Sequence, residues 1–136
     1  MAGFLDTNIV FYAASRGLSQ RDRPKRGIAR NLVSDGFILS GQVLAEFYFN
    51  ITRKGPAPFT HDEASEFIDL LREQPCVSVD ADLVLHGAAL ASRYQISYWD
   101  GAIIAAAHIG GADTLFTEDL SHGQLYGSVR VVNPFA

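Results

Sequence analysis

The sequence predicts an α/β fold: three layers, with a short, mainly parallel five-stranded sheet between helices. Two observations predict it. Short apolar runs rich in Val, Ile, Leu and Phe alternate with longer segments of helical periodicity, the pattern that buries a parallel sheet under crossover helices. The 136 residues suffice for one core but not comfortably for two, and no repeat or linker divides them, so a single domain over 1–136 is expected.

The elements follow in order. Residues 3–6, Gly-Phe-Leu-Asp, form a first strand that delivers Asp6 to its C-terminal end. Thr7 to Ser15 is a mostly apolar helix carrying Ile9, Val10, Tyr12 and Ala13 at helical spacing. After the polar link 16–20, a second helix is expected from about Arg23 to Ser34, with Pro24 in its first turn and Ile28, Leu32 and Val33 inward. Phe37-Ile38-Leu39 is the second strand. Ser40 caps a helix to Lys54 whose stripe is Val43, Leu44, Phe47, Tyr48 and Ile51, with Glu46 and Asn50 at its margin. Gly55-Pro56-Ala57-Pro58 stops it.

Thr60 and Glu63 form a capping box for a helix with Ala64, Phe67, Ile68, Leu70 and Leu71 inward, closed by Pro75. Val77-Ser78-Val79 is the third strand, and Cys76 beside it is expected to be a small buried hydrophobe. Asp80 caps a helix to about Tyr94. Ser97 opens a small, apolar helix, Gly101 to Ala107, suited to close packing, that ends at Gly110-Gly111. Thr114 to Thr117 and Val129 to Val132 are the last two strands.

Composition narrows the function. No apolar run reaches the ~18 residues of a membrane span, and Asp6 interrupts any signal segment, so a cytoplasmic protein without membrane attachment is expected. The lone cysteine excludes an internal disulfide. A net charge of −4 argues against broad nonspecific nucleic-acid binding. Yet Arg16, Arg21, Arg23, Lys25, Arg26 and Arg30 crowd one stretch; they read either as a solvated face or as a guide for a polyanion.

Four acids stand out. Singly, each has a plain explanation: Asp6 as a helix cap, Asp100 as a carboxylate at a helix start, Asp119 as a turn residue, Glu46 as half of a salt bridge, for example to Arg53. Jointly, the parallel sheet brings all four to the edge where its strands end, the usual ligand-binding edge of such folds. Clustered carboxylates raise one another's pKa, and a divalent cation removes that cost. All-oxygen donors suit Mg²⁺ or Mn²⁺ rather than zinc.

The pieces Phe4-Leu5-Asp6-Thr7-Asn8, Val43-Leu44-Ala45-Glu46-Phe47, Ser97 to Ala107 and Leu115-Phe116-Thr117-Glu118-Asp119-Leu120 together resemble PIN-domain nucleases, and among them VapC-type toxins of toxin–antitoxin pairs. The resemblance runs over nearly the whole chain. It implies a PIN-like fold and an acidic quartet, Asp6, Glu46, Asp100 and Asp119, that is catalytic and holds Mg²⁺ or Mn²⁺. Asn8 and Thr117 would support it. Glu118 either points away or shares the role of Asp119, and Asp113 lies at the opposite edge. It further implies an RNA substrate cut to 5′-phosphate and 3′-hydroxyl ends, a cognate antitoxin, and a homodimer.

Other residues carry less. The histidines at 61, 86, 108 and 122 lack ligand spacing and read as surface or helix-end residues, with a substrate contact from His122 the lesser reading. Tyr98 and Trp99 read as core or rim aromatics rather than base-stacking platforms. A phosphoacceptor receiver would need a Lys at the last strand's end, and a haloacid-type phosphatase an Asp where Asn8 stands. No Gly-rich phosphate loop occurs. A PIN nuclease of RNA processing without an antitoxin, and a noncatalytic PIN-like scaffold, remain as alternatives.

Overall fold

A computed structural model describes residues 3–136. Its elements run β1 (Gly3–Leu5), α1 (Thr7–Ala14), α2 (Lys25–Ser34), β2 (Phe37–Ser40), α3 (Gly41–Ile51), α4 (His61–Leu71), β3 (Cys76–Val77), α5 (Ala81–Tyr94), α6 (Tyr98–Ile109), β4 (Thr114–Phe116), β5 (Leu125–Tyr126) and β6 (Val129–Val132). The sheet order is β3-β2-β1-β4-β6-β5. Every pairing is parallel except β5 with β6.

The sheet therefore has six strands, one more than the sequence predicts. The addition is β5, two residues whose exposed Leu125 and buried Tyr126 give too short an alternation to read. Gly127, at φ +60°, makes the turn into β6, where glycine has no Cβ to clash.

The strands are short because their work is central. Phe4, Leu5, Leu39, Leu115, Val129 and Val131 are almost wholly buried, as expected of a parallel sheet covered on both faces. From one helical layer α3 supplies Val43, Phe47 and Ile51, and α1 supplies Ile9 and Val10. From the other, α6 buries every residue from Gly101 to Ala107. A helix of glycine, alanine and isoleucine can be buried all round because it presents no polar side chain there.

The helix signals hold where they are local. Ser40, Thr60, Asp80 and Ser97 cap their helices through the side-chain oxygen, and Thr60 with Glu63 forms the complete capping box. Inward faces are less well predicted. Ile28 and Leu70 are exposed, and Val79, expected to end the third strand, lies beyond it. In α2 the buried residue is Ala29 instead, so that helix meets α1 one position round from the expected line. Helix α3 ends at Ile51, with Thr52 as C-cap, short of Lys54. Strand β3 begins at Cys76, which is exposed because β3 is an edge strand.

Candidate active site

Backbone register builds the site first. Strand β1 pairs with β4 so that Leu5 faces Phe116, and the Asp6 N–H donates to the Phe116 carbonyl at 3.0 Å. Carried one residue on, that register sets Asp6 beside Thr117. The Thr117 hydroxyl donates to Asp6 Oδ2 at 2.7 Å, and the Thr7 N–H donates to Asp6 Oδ1 at 2.6 Å. Asp6 is thus the cap of α1 and a buried acid at once.

Thr117 links two acids. While its hydroxyl donates to Asp6, its oxygen accepts from the Asp119 N–H at 3.1 Å. Asp119 therefore stands at the same sheet edge, just beyond β4, as Asp6 stands just beyond β1. The place of Glu46 is the second turn of α3, the helix that Ser40 starts at the end of β2. Asp100 occupies the first turn of α6, its N–H donating to Ser97 Oγ at 3.1 Å.

Electrostatics record the gathering. Asp6 is 7% exposed, and its pKa is pushed up to about 6, first by burial, then by the negative charges of Asp119 and Glu46; its two hydrogen bonds oppose the shift. The Asp119 carboxyl is also raised, first by partial desolvation, then by Glu118 and Asp100, with Lys25 acting against them. No cation is paired with Asp6 or Asp119 among the described residues. Nor does Glu46 pair with Arg53: it accepts from Gln42 Nε2 at 3.0 Å, while the Arg53 guanidinium lies over the Phe49 ring.

The acids share an edge without closing into a cage. Among the described residues no three Asp, Glu, His or Cys side chains converge as a ready metal-binding group. Beside Glu46 a groove of about 650 Å³ opens between α3 and α6, lined by Gly41, Gln42, Ala45, Val79, Tyr98 and Trp99. Trp99 is 65% exposed, a rim residue.

Glu118, next to Asp119, has partners of its own. Tyr12 donates its hydroxyl to Glu118 Oε1, Lys25 Nζ lies 2.8 Å from Oε2, and Asn8 Nδ2 reaches Oε1 at 3.5 Å. The parts played by Tyr12 and Lys25 are invisible in the sequence: nothing local distinguishes Lys25 from its five cationic neighbours, and its partner is 93 residues away.

Most of the basic stretch is committed to the fold. Arg16 binds Glu63 and the Pro58 carbonyl. Arg26 and Arg30 donate to the carbonyls of Ser15 and Ala13. That leaves Arg21 and Arg23 exposed. The histidines serve packing as well: His122 Nδ1 accepts from the Asn133 N–H at 2.9 Å, His61 bonds Tyr48, and His108 bonds Ser128 and meets the ring of His86 edge-on.

The PIN domain family matches residues 3–127. This chain belongs to that family. The fold of this PIN domain is similar to those of three solved structures. With VapC20 of Mycobacterium tuberculosis, described as a sarcin–ricin-loop-cleaving toxin, it shares 20% identity at a TM-score of 0.64, over 85% of this chain and 90% of that one. With VapBC2 from Rickettsia felis bound to a promoter DNA fragment the values are 17% and 0.62, over 96% and 97%. With FitAB bound to IR36 DNA they are 21% and 0.70, over 98% and 95%. No curated protein matches the sequence. No described helix is long and apolar enough to cross a membrane.

Proposed function

We propose that this PIN domain is a divalent-metal-dependent endoribonuclease, the toxin of a toxin–antitoxin pair, acting in the cytoplasm. The observation that carries the reading is Asp6. A buried carboxyl held by two hydrogen bonds, with further acids raising its pKa and no side-chain cation beside it, is costly unless a cation joins it. Membership of the PIN family and the likeness to VapC20 support nuclease chemistry on RNA. VapBC2 and FitAB, both toxin–antitoxin complexes, support a protein partner, and the homodimer rests on the resemblance alone.

The residues fit a hard divalent ion. Their donors are carboxylate oxygens, and an edge too open to enclose an ion by side chains leaves room for the water ligands that Mg²⁺ usually keeps. Asp6 and Asp100 would hold the principal ion, with Glu46 and Asp119 completing the site. When bound, Mg²⁺ or Mn²⁺ would polarise the phosphate and lower the pKa of a water.

The protein's own part is placement. Thr7 and Thr117 fix both oxygens of Asp6, so its carboxylate is oriented before any ligand arrives. Asp119 is oriented through the same Thr117. The groove offers substrate a place beside Glu46, and Arg21 and Arg23 are left to meet phosphates. No side-chain nucleophile is required.

The test is a Mn²⁺ titration of thermal stability in wild type, Asp6→Asn and Asp100→Asn. A ligand at 100 times its Kd stabilises the folded state by ~2.7 kcal/mol. We expect a saturable rise in Tm for wild type and its loss in both variants, with RNA cleavage abolished in Asp6→Asn. No shift at millimolar Mn²⁺ overturns the proposal and leaves a PIN-like scaffold; undiminished cleavage by Asp6→Asn overturns the assignment of the site.

A further inference from the structure

Lys25 opens α2, and its side chain is only 18% exposed. Its ammonium lies 2.8 Å from Glu118 Oε2 and 3.2 Å from Asp22 Oδ1, and it donates to the Tyr12 hydroxyl at 3.4 Å. It also sits over the rings of Tyr12 and Phe135, 4.9 and 5.4 Å from their centroids, and those two rings meet edge to face. Four separate parts of the chain converge on one cation: α1, the start of α2, the segment after β4, and the C-terminal turn.

Residues 117–124 belong to no strand or helix. The Thr117 N–H donates to the Val132 carbonyl at 3.1 Å and the Gly123 N–H to the Val131 carbonyl at 2.8 Å. Between these two points Leu120 packs on the core, His122 accepts from the Asn133 N–H, and Glu118, held by its ion pair with Lys25, stands between Thr117, which holds Asp6, and Asp119. Bonds between charged groups are stronger than neutral ones, and a partly buried pair loses less to solvent than an exposed one.

We propose that Lys25 is a positioning residue for the acidic site: by gripping Glu118 it fixes the turn from Thr117 to Asp119, and through that turn the carboxyls of Asp6 and Asp119. This rests on the metal-site reading above for its consequence, but not for its geometry. It also gives Lys25 a purpose other than contact with RNA, since the ammonium is already enclosed.

The sign of one measurement separates positioning from charge. Lys25 is a positive charge near Asp119, so its removal by charge alone would tighten Mn²⁺ binding. Loss of positioning would weaken it. We compare wild type with Lys25→Met, Lys25→Arg and Glu118→Gln, reading amide hydrogen exchange by NMR and Mn²⁺ affinity by titration. Lys25→Met is expected to speed exchange of the Asp119 amide, while amides of Ala105 and Ala106 in α6 keep their protection. Its Mn²⁺ Kd is expected to rise about 10-fold, the lower end of what supporting groups around metal ligands contribute. Lys25→Arg should restore both.

Unchanged exchange at Asp119, or equal or tighter Mn²⁺ binding in Lys25→Met, overturns the proposal. Should Lys25→Met not fold, Glu118→Gln decides: it keeps a neutral acceptor of the same shape, and the Asp119 amide should again exchange faster; an unchanged rate overturns the proposal. If wild type binds no Mn²⁺, the metal-site reading fails, and exchange alone then decides whether Lys25 holds the turn.

Discussion

Asp6 shows what a single buried carboxyl can reveal. Its pKa, raised to about 6 from a usual 3.8, means that the folded chain holds this proton more tightly than the unfolded one. That contribution to stability is complete below about pH 4 and is lost as pH rises through 6. At neutral pH the ionised group therefore opposes folding, by up to about 3 kcal/mol. Without metal, Asp6→Asn should be more stable than wild type at pH 7.5, and the difference should vanish near pH 4. Denaturant melts at several pH values will show it; a constant difference would contradict the assignment. Thr117→Val should act the other way. It strips Asp6 Oδ2 and the Asp119 N–H of their shared partner, at ~1–3 kcal/mol, which urea unfolding will measure. Of these two residues Asp6 was legible as an acid and as a cap, because each reading needs only its immediate neighbours. The Thr117 bond crosses 111 residues and became visible only through the register of β1 and β4.

Among the elements, the crossing of α5 and α6 decides where Asp100 stands. A Cβ on Gly87 would come within 2.8 Å of Ala102 Cα, and one on Gly101 would fall on the Gly87 carbonyl oxygen. These are backbone atoms that cannot swing aside. Gly101→Ala should therefore lower stability by several times the ~1 kcal/mol of an ordinary substitution, with a matching fall in Tm. Being next in sequence, Asp100 should be displaced with it. Thr60→Ala, at the far end of the molecule's capping-box helix, should lose about 1 kcal/mol and leave Mn²⁺ binding unchanged. Caps were readable because their chemistry spans three or four residues. Burial was not readable at Leu70 or Ile28. Apolar periodicity marks a stripe wider than the part a small domain can cover, and only packing decides which margin stays wet.

At the scale of the whole molecule, the sheet edge was foreseeable from alternation alone, because parallel strands put all their C-terminal ends on one side. The fate of the basic stretch was not. Its members look alike in sequence, yet Arg16, Arg26 and Arg30 bind carbonyls or Glu63, and Lys25 is caged. Few cations remain for a polyanion, so nuclease activity should depend weakly on salt relative to a protein with a broad basic face. Expression with the neighbouring open reading frames should bring down a small partner with this chain, and light scattering of the isolated chain should report a dimer; a lone monomer in both would favour a processing nuclease over a toxin.

The pairing of β1 with β4 also sets a schedule. Asp6 leaves the ribosome 111 residues ahead of Thr117. A contact so distant in sequence cannot form early in folding. During translation the nascent chain therefore carries its acids apart, and the site comes into being only once β4 and the turn after it have emerged. Any activity that needs these acids together would be absent from the nascent chain until then.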